Sequence, residues 1–159
     1  VVVRALKRTL PLLVLAALLA GCGSYTKADF TASADAICAS TVRATRTITP
    51  PSAGHTGAQQ LRGLGGYLAR LVPLLASESR QIHALKRPVQ SAHDRRLLTG
   101  YLAALTQSVA EYRQLAQAAQ AGDAGAVSKA EATLAASPVT SLAGSYGLRS
   151  CAAPGATVA

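Results

Sequence analysis

The chain of 159 residues has no tryptophan, no methionine and no asparagine, and a single phenylalanine stands beside five tyrosines. So few rings leave little to interleave with basic side chains. The 16 lysines and arginines are scattered rather than run together, which argues against a nucleic-acid-binding face. Acidic residues number only seven and histidines three. Glu78, Glu111 and Glu131 are the only glutamates, and none has a histidine three residues on, so the Glu-x-x-His pairs of a di-metal bundle are missing. His55 lies in a Gly/Pro-rich stretch, His83 beside apolar Ile82, and His93 beside Asp94 near a helix start. No Gly-x-Ser-x-Gly elbow occurs; Leu142-Ala143-Gly144-Ser145-Tyr146-Gly147 comes near it, but in a helical context where it reads as a helix end. Gly63-Leu64-Gly65-Gly66 lacks the strand and the lysine of a phosphate-binding loop. No cofactor, metal or enzymatic activity is therefore expected.

Long apolar runs are also scarce. The longest, residues 10–20, has eleven residues against the ~20 that a spanning helix needs. It follows Arg4, Lys7 and Arg8 and ends in small residues, which is the layout of a secretory signal. Leu19-Ala20-Gly21-Cys22 then closes it. This stretch resembles the bacterial lipobox, and the resemblance implies that residues 1–21 are a removable signal peptide. It implies too that Cys22 receives a diacylglyceryl group, a palmitate-type anchor to the outer face of the cell membrane. Two acyl chains hold a protein stably, where one holds only marginally. Residues 22–28 are read as anchor and spacer, the six after Cys22 spanning at most ~20 Å. Twelve arginines against four lysines, with 34 alanines, suggest a high-GC bacterial gene, and Val1 is expected to stand for a GTG start.

What the chain has in abundance is alanine and leucine, the best helix formers. Four segments repeat apolar residues at three- and four-residue steps. The first, about 29–48, carries Phe30, Ala34, Ile37, Thr41, Ala44 and Ile48 on one face, with Asp29 as its expected N-cap and Pro50-Pro51 as its stop. The second, about 58–86, carries Leu61, Leu64, Leu68, Leu71, Leu75, Ile82 and Leu85; Pro73 predicts a kink or break near 69–73. Gly63, Gly65 and Gly66 weaken its first turns unless a neighbour must approach closely. The third, about 91–120, carries Leu98, Tyr101, Leu105, Val109, Tyr112, Leu115 and Ala119. Gly122-Asp123 ends it and caps the fourth, about 124–146, which Ser137-Pro138 can divide, with Ser137 as cap. Gly147 suits a left-handed terminus, with Leu148 as its apolar partner. The prediction is an all-α protein, an up-down-up-down four-helix bundle over residues 29–151, with a disordered tail at 152–159.

With Cys22 assigned to lipid, Cys38 and Cys151 remain. An even pair in an exported domain reads as a disulfide, the alternative being two buried free thiols. Asp29-Phe30-Thr31-Ala32-Ser33-Ala34-Asp35-Ala36-Ile37-Cys38, then Gly122-Asp123, then Tyr146-Gly147-Leu148-Arg149-Ser150-Cys151 resemble the motifs of a loose group of small actinobacterial lipoproteins. The resemblance implies the bundle and the disulfide and brings no activity. The expected role is a non-enzymatic binding or interaction module of the cell envelope, its partner an envelope protein or polymer. The alternative is a carrier holding an apolar or lipid-like ligand between Ala- and Gly-rich helices.

Overall fold

The computed structural model describes residues 24–51 and 57–153. The leader, Cys22, His55 and residues 154–159 of the expected tail lie outside them. Five helices follow in order: α1 (Lys27–Thr45), α2 (Ala58–Ala84), α3 (Ala92–Ala121), α4 (Ala124–Ala135) and α5 (Val139–Tyr146). The described residues contain no strand.

Local chemistry sets the helix ends. α1 opens on a capping box: Thr26 Oγ1 accepts from the Asp29 amide at 3.2 Å while the Asp29 carboxylate accepts from the Thr26 amide at 2.8 Å. The cap thus lies three residues before the expected Asp29, because the Thr-x-x-Asp pair satisfies two orphan donors where a lone aspartate satisfies fewer. The helix therefore begins at Lys27, two residues before the expected start. Ser91 caps α3 and Asp123 caps α4, each through its side-chain oxygen. α3 closes on Gly122 (φ +73°) and α5 on Gly147 (φ +102°). At the second closure the Leu148 amide reaches back to the Ala143 carbonyl at 2.9 Å and the Gly147 amide to Gly144 at 3.0 Å, the expected Schellman pattern.

Two expectations about proline resolve differently. α2 runs unbroken through Pro73. Pro73 and Ala69 are both exposed, so the carbonyl that loses its partner meets water, while Leu68, Leu71 and Leu75 hold the opposite face in the core. Pro138, by contrast, does split the fourth segment. It is itself the N-cap of α5, and Ser137 supplies no side-chain cap.

α1, α2 and α3 alternate in direction and α4 turns back along α3, with α5 continuing the way α4 runs, as the core contacts establish. Early α1 (Phe30, Ala34, Cys38), late α2 (Ile82), early α3 (Leu98 to Leu105) and α5 share one buried cluster. Ile48, early-to-mid α2 (Leu68 to Ala76), late α3 (Val109 to Ala119) and Val127 of α4 share the other. The result is the up-down-up-down bundle, with α4 and α5 together forming the fourth arm against the two ends of α3. Gly65 permits a close α2–α3 approach: a Cβ there would lie 3.2 Å from Gln120 Cγ and 3.4 Å from its backbone nitrogen. Each fully buried leucine contributes about 1.5–3 kcal/mol to this core.

Candidate functional site

Three features stand out from the packing: a clasp at the disulfide end, a polar belt across the core, and a cleft between the helices.

The clasp gathers the ends of the domain. Cys38 and Cys151 are bonded, with their Cα atoms 5.2 Å apart and 113 positions between them. Asp35, one turn before Cys38, accepts from the backbone amides of Arg149 (3.1 Å), Ser150 (2.7 Å) and Cys151 (3.4 Å). An anionic carboxylate facing successive amides makes charge-assisted bonds, so Asp35 holds the turn that presents Cys151. Nearby, Phe30 meets Tyr146 edge to face at 5.8 Å, and the Tyr146 hydroxyl donates to Gln90 Oε1 at 2.6 Å. Burial pushes that phenol up to about 12, with Asp94 adding to the effect. Lys27 bonds Asp94 at 2.6 Å and lies 4.7 Å from the centre of the Tyr146 ring; together with the Ser91 hydroxyl it holds the Asp94 carboxyl below the usual range. The motif residues 29–38 and 146–151 are therefore one structural device.

The polar belt lies at the level between the two apolar clusters. Thr41, Glu78, Ser79, Ser108 and Glu111 are all buried there. Glu78 Oε2, Glu111 Oε2 and the Tyr101 hydroxyl, all buried, have no hydrogen-bond partner, although Gln107 donates to Glu111 Oε1 at 3.0 Å. Desolvation raises the Glu78 carboxyl above its ordinary value, partly offset by the facing Thr41 hydroxyl. Tyr101 is raised too, chiefly by burial and secondarily by Glu78. Among the described residues no group of three His, Cys, Asp or Glu is placed to hold a metal ion.

The cleft opens where α4 gives way to α5. Its volume is about 570 Å³, within the range of small-molecule pockets. Leu64, Leu68 and Leu71 of α2, Leu115 of α3, and Leu134 and Val139 beside the Pro138 break give it an apolar wall. Tyr67, Ser108, Tyr112, Glu131, Ser137 and Thr140 supply the polar groups, and among the described residues no lysine or arginine lines it. Burial, with Tyr67 nearby, pushes the Tyr112 phenol up to about 12.

The remaining expected positions fall elsewhere. His83 is exposed, with Nε2 3.0 Å from Thr106 Oγ1, and His93 is exposed at the start of α3. Leu142–Gly147 is the end of α5, as read. The cleft was not anticipated as such, although two of its signals were present: the proline break opposite a leucine stripe, and the glycine-rich first turns of α2 beside it. Comparison of the chain with known protein families, with curated proteins and with solved structures yields no match.

Proposed function

We propose that this chain is an extracytoplasmic lipoprotein, anchored to the cell membrane by a diacylglyceryl group on Cys22, whose bundle is a non-enzymatic binding module of the envelope. The cleft carries the binding half of the reading: an apolar chamber of about 570 Å³ between α2, α3 and the α4–α5 break, with a few hydroxyls and one carboxylate. That observation favours the carrier form of the module over a purely protein-binding one. A ligand with an apolar body and a neutral or cationic head fits a wall that, among the described residues, has Glu131 and no basic residue. The lipobox resemblance at Leu19–Cys22 supports the anchor.

Native mass spectrometry of protein isolated from its membranes tests the carrier reading. A co-purifying apolar molecule, lost when Leu134→Trp fills the cleft, is the expected result; a clean apo mass for the unaltered protein counts against it. Cys22→Ala tests the anchor: the protein is expected to leave the membrane fraction, and full retention overturns the assignment.

A further inference from the structure

Val89 is the only large hydrophobic side chain left exposed among the described residues, at 79%. It lies in the α2–α3 connection, yet it is held in place. Pro88 before it is buried, and the Val89 amide donates to the Tyr25 carbonyl at 3.2 Å. Around it Lys86, Arg87, Arg95 and Arg96 are all exposed, and none forms an ion pair among the described residues. The one carboxylate in this stretch, Asp94, is already bonded to Lys27. Arg87 and Arg95 both line a cavity of about 440 Å³ that also has Gln90 and Thr99 in its wall.

We propose that this end of the bundle is a docking face for an anionic lipid surface, with Val89 entering the interface and Lys86, Arg87, Arg95 and Arg96 meeting the headgroup phosphates. Two further observations place the membrane here. The face is fastened to Tyr25, only three residues after Cys22, and three residues reach at most ~11 Å. Most of the cleft wall, residues 64–71 of α2 and 108–115 of α3, lies toward the half of the bundle remote from this face, Val139 being its one residue from the nearer cluster. Docking through the arginines would leave the cleft open to the envelope. A rigid exposed valine costs less in the interface than in water, and each basic residue near an anionic leaflet adds about fivefold in affinity. The inference rests on the anchor reading for the location of the membrane, but the affinity itself needs no acyl chain.

The test therefore uses protein without the anchor. Both core clusters, the disulfide and the helix caps lie within residues 24–153, so the chain from residue 23 onward contains the whole folding unit. It is sedimented with vesicles of phosphatidylcholine alone and with an equal mixture of phosphatidylcholine and phosphatidylglycerol. Binding to the mixed vesicles only is expected, weakened roughly 25-fold by Arg87→Gln with Arg95→Gln. Val89→Ser should weaken it about threefold or more, in line with the loss of one buried aliphatic side chain. Arg62→Gln with Arg70→Gln, on exposed early α2, should leave it within about twofold, since those charges lie beyond a Debye length of the surface. Equal binding to neutral vesicles, equal losses from both arginine pairs, or full competition by inorganic phosphate with Val89→Ser unchanged each overturns the proposal. Failure here leaves the Cys22 anchor standing, and retention of Cys22→Ala in membranes would sink the anchor without touching this assay.

Discussion

Glu78 shows how a single side chain can hide in a legible pattern. The α2 stripe runs Leu71, Leu75, then Ile82, and the two missing positions between them are filled by Glu78 and Ser79, both buried. The gap in the stripe was visible in the sequence. What filled it inward was not, because hydrophobic patterning assigns a glutamate to solvent by default. Burial raises the Glu78 carboxyl, so its protonated form is the one the fold favours. The stability linked to this group is therefore fully present below the ordinary carboxylate range and is lost as pH rises through the raised value. Glu78→Gln is expected to stabilise the protein at pH 7 by about 1 kcal/mol, or roughly 3–5 °C in Tm. The advantage should vanish toward pH 4. A thermal melt series of both proteins across that interval checks this, and a gain that does not depend on pH would refute it.

Asp35 makes the opposite case at the same scale. It is half-exposed and sits between apolar neighbours on a helix; it belongs to the motif at 29–38, but nothing in the sequence says what its carboxylate bonds. Its three backbone partners come from residues more than a hundred positions away, and only the closed bundle brings them within reach. Asp35→Ala leaves those amides without their acceptor and is expected to cost about 1.5–3 kcal/mol. The Cys38–Cys151 bond should also be reduced faster by dithiothreitol, since the turn that holds Cys151 loosens. A melt and a reduction time course check the two effects; an unchanged reduction rate would show that the disulfide alone positions the turn.

At the scale of the element, helix identity and helix ends were largely legible, because they depend on local rules. The Gly122 and Gly147 closures and the Asp123 cap follow directly from residue type. Pro73 and Pro138 were not separable by those rules. Both proline positions carry the same local penalty, but only Pro73 sits opposite a continuous leucine face that packs on α3. Tertiary packing outweighs the lost bond there, whereas at Pro138 the short α5 packs against early α3 as a unit of its own. Pro73→Ala restores a backbone bond at an exposed site and should stabilise by about 1–3 kcal/mol. Chemical denaturation measures it. A neutral result would mean that the chain before Pro73 gains nothing from a complete hydrogen-bond ladder.

At the scale of the molecule, the bundle and its disulfide could be read from four stripes and an even thiol count, but the division of the core could not. The two apolar clusters and the polar belt between them depend on which residues meet across helices. This division gives the domain two halves with different supports. The cleft half rests on α2 against α3, the most extensive helix pair, with α4 packed beside them. The clasp half depends on α1 and α5, short or peripheral elements tied by the disulfide, Asp35 and the Phe30–Tyr146 contact. The chain-entropy model assigns a 113-position loop up to ~4.7 kcal/mol, a ceiling that native strain lowers. Replacing Cys38 and Cys151 together by serine should therefore lower global stability by about 2–4 kcal/mol. The loss should not be uniform. Amide exchange is expected to speed up first in α1 and in residues 139–151, while 64–75 and 109–119 keep protection close to the new global limit. Because Leu64, Leu68, Leu71, Tyr112 and Leu115 of the cleft belong to the second set and only Val139 and Thr140 to the first, a ligand bound there should still be retained when the disulfide is gone. Exchange that accelerates equally in both halves, or loss of the ligand along with the disulfide, would show that the polar belt couples the two clusters into one cooperative unit rather than dividing them.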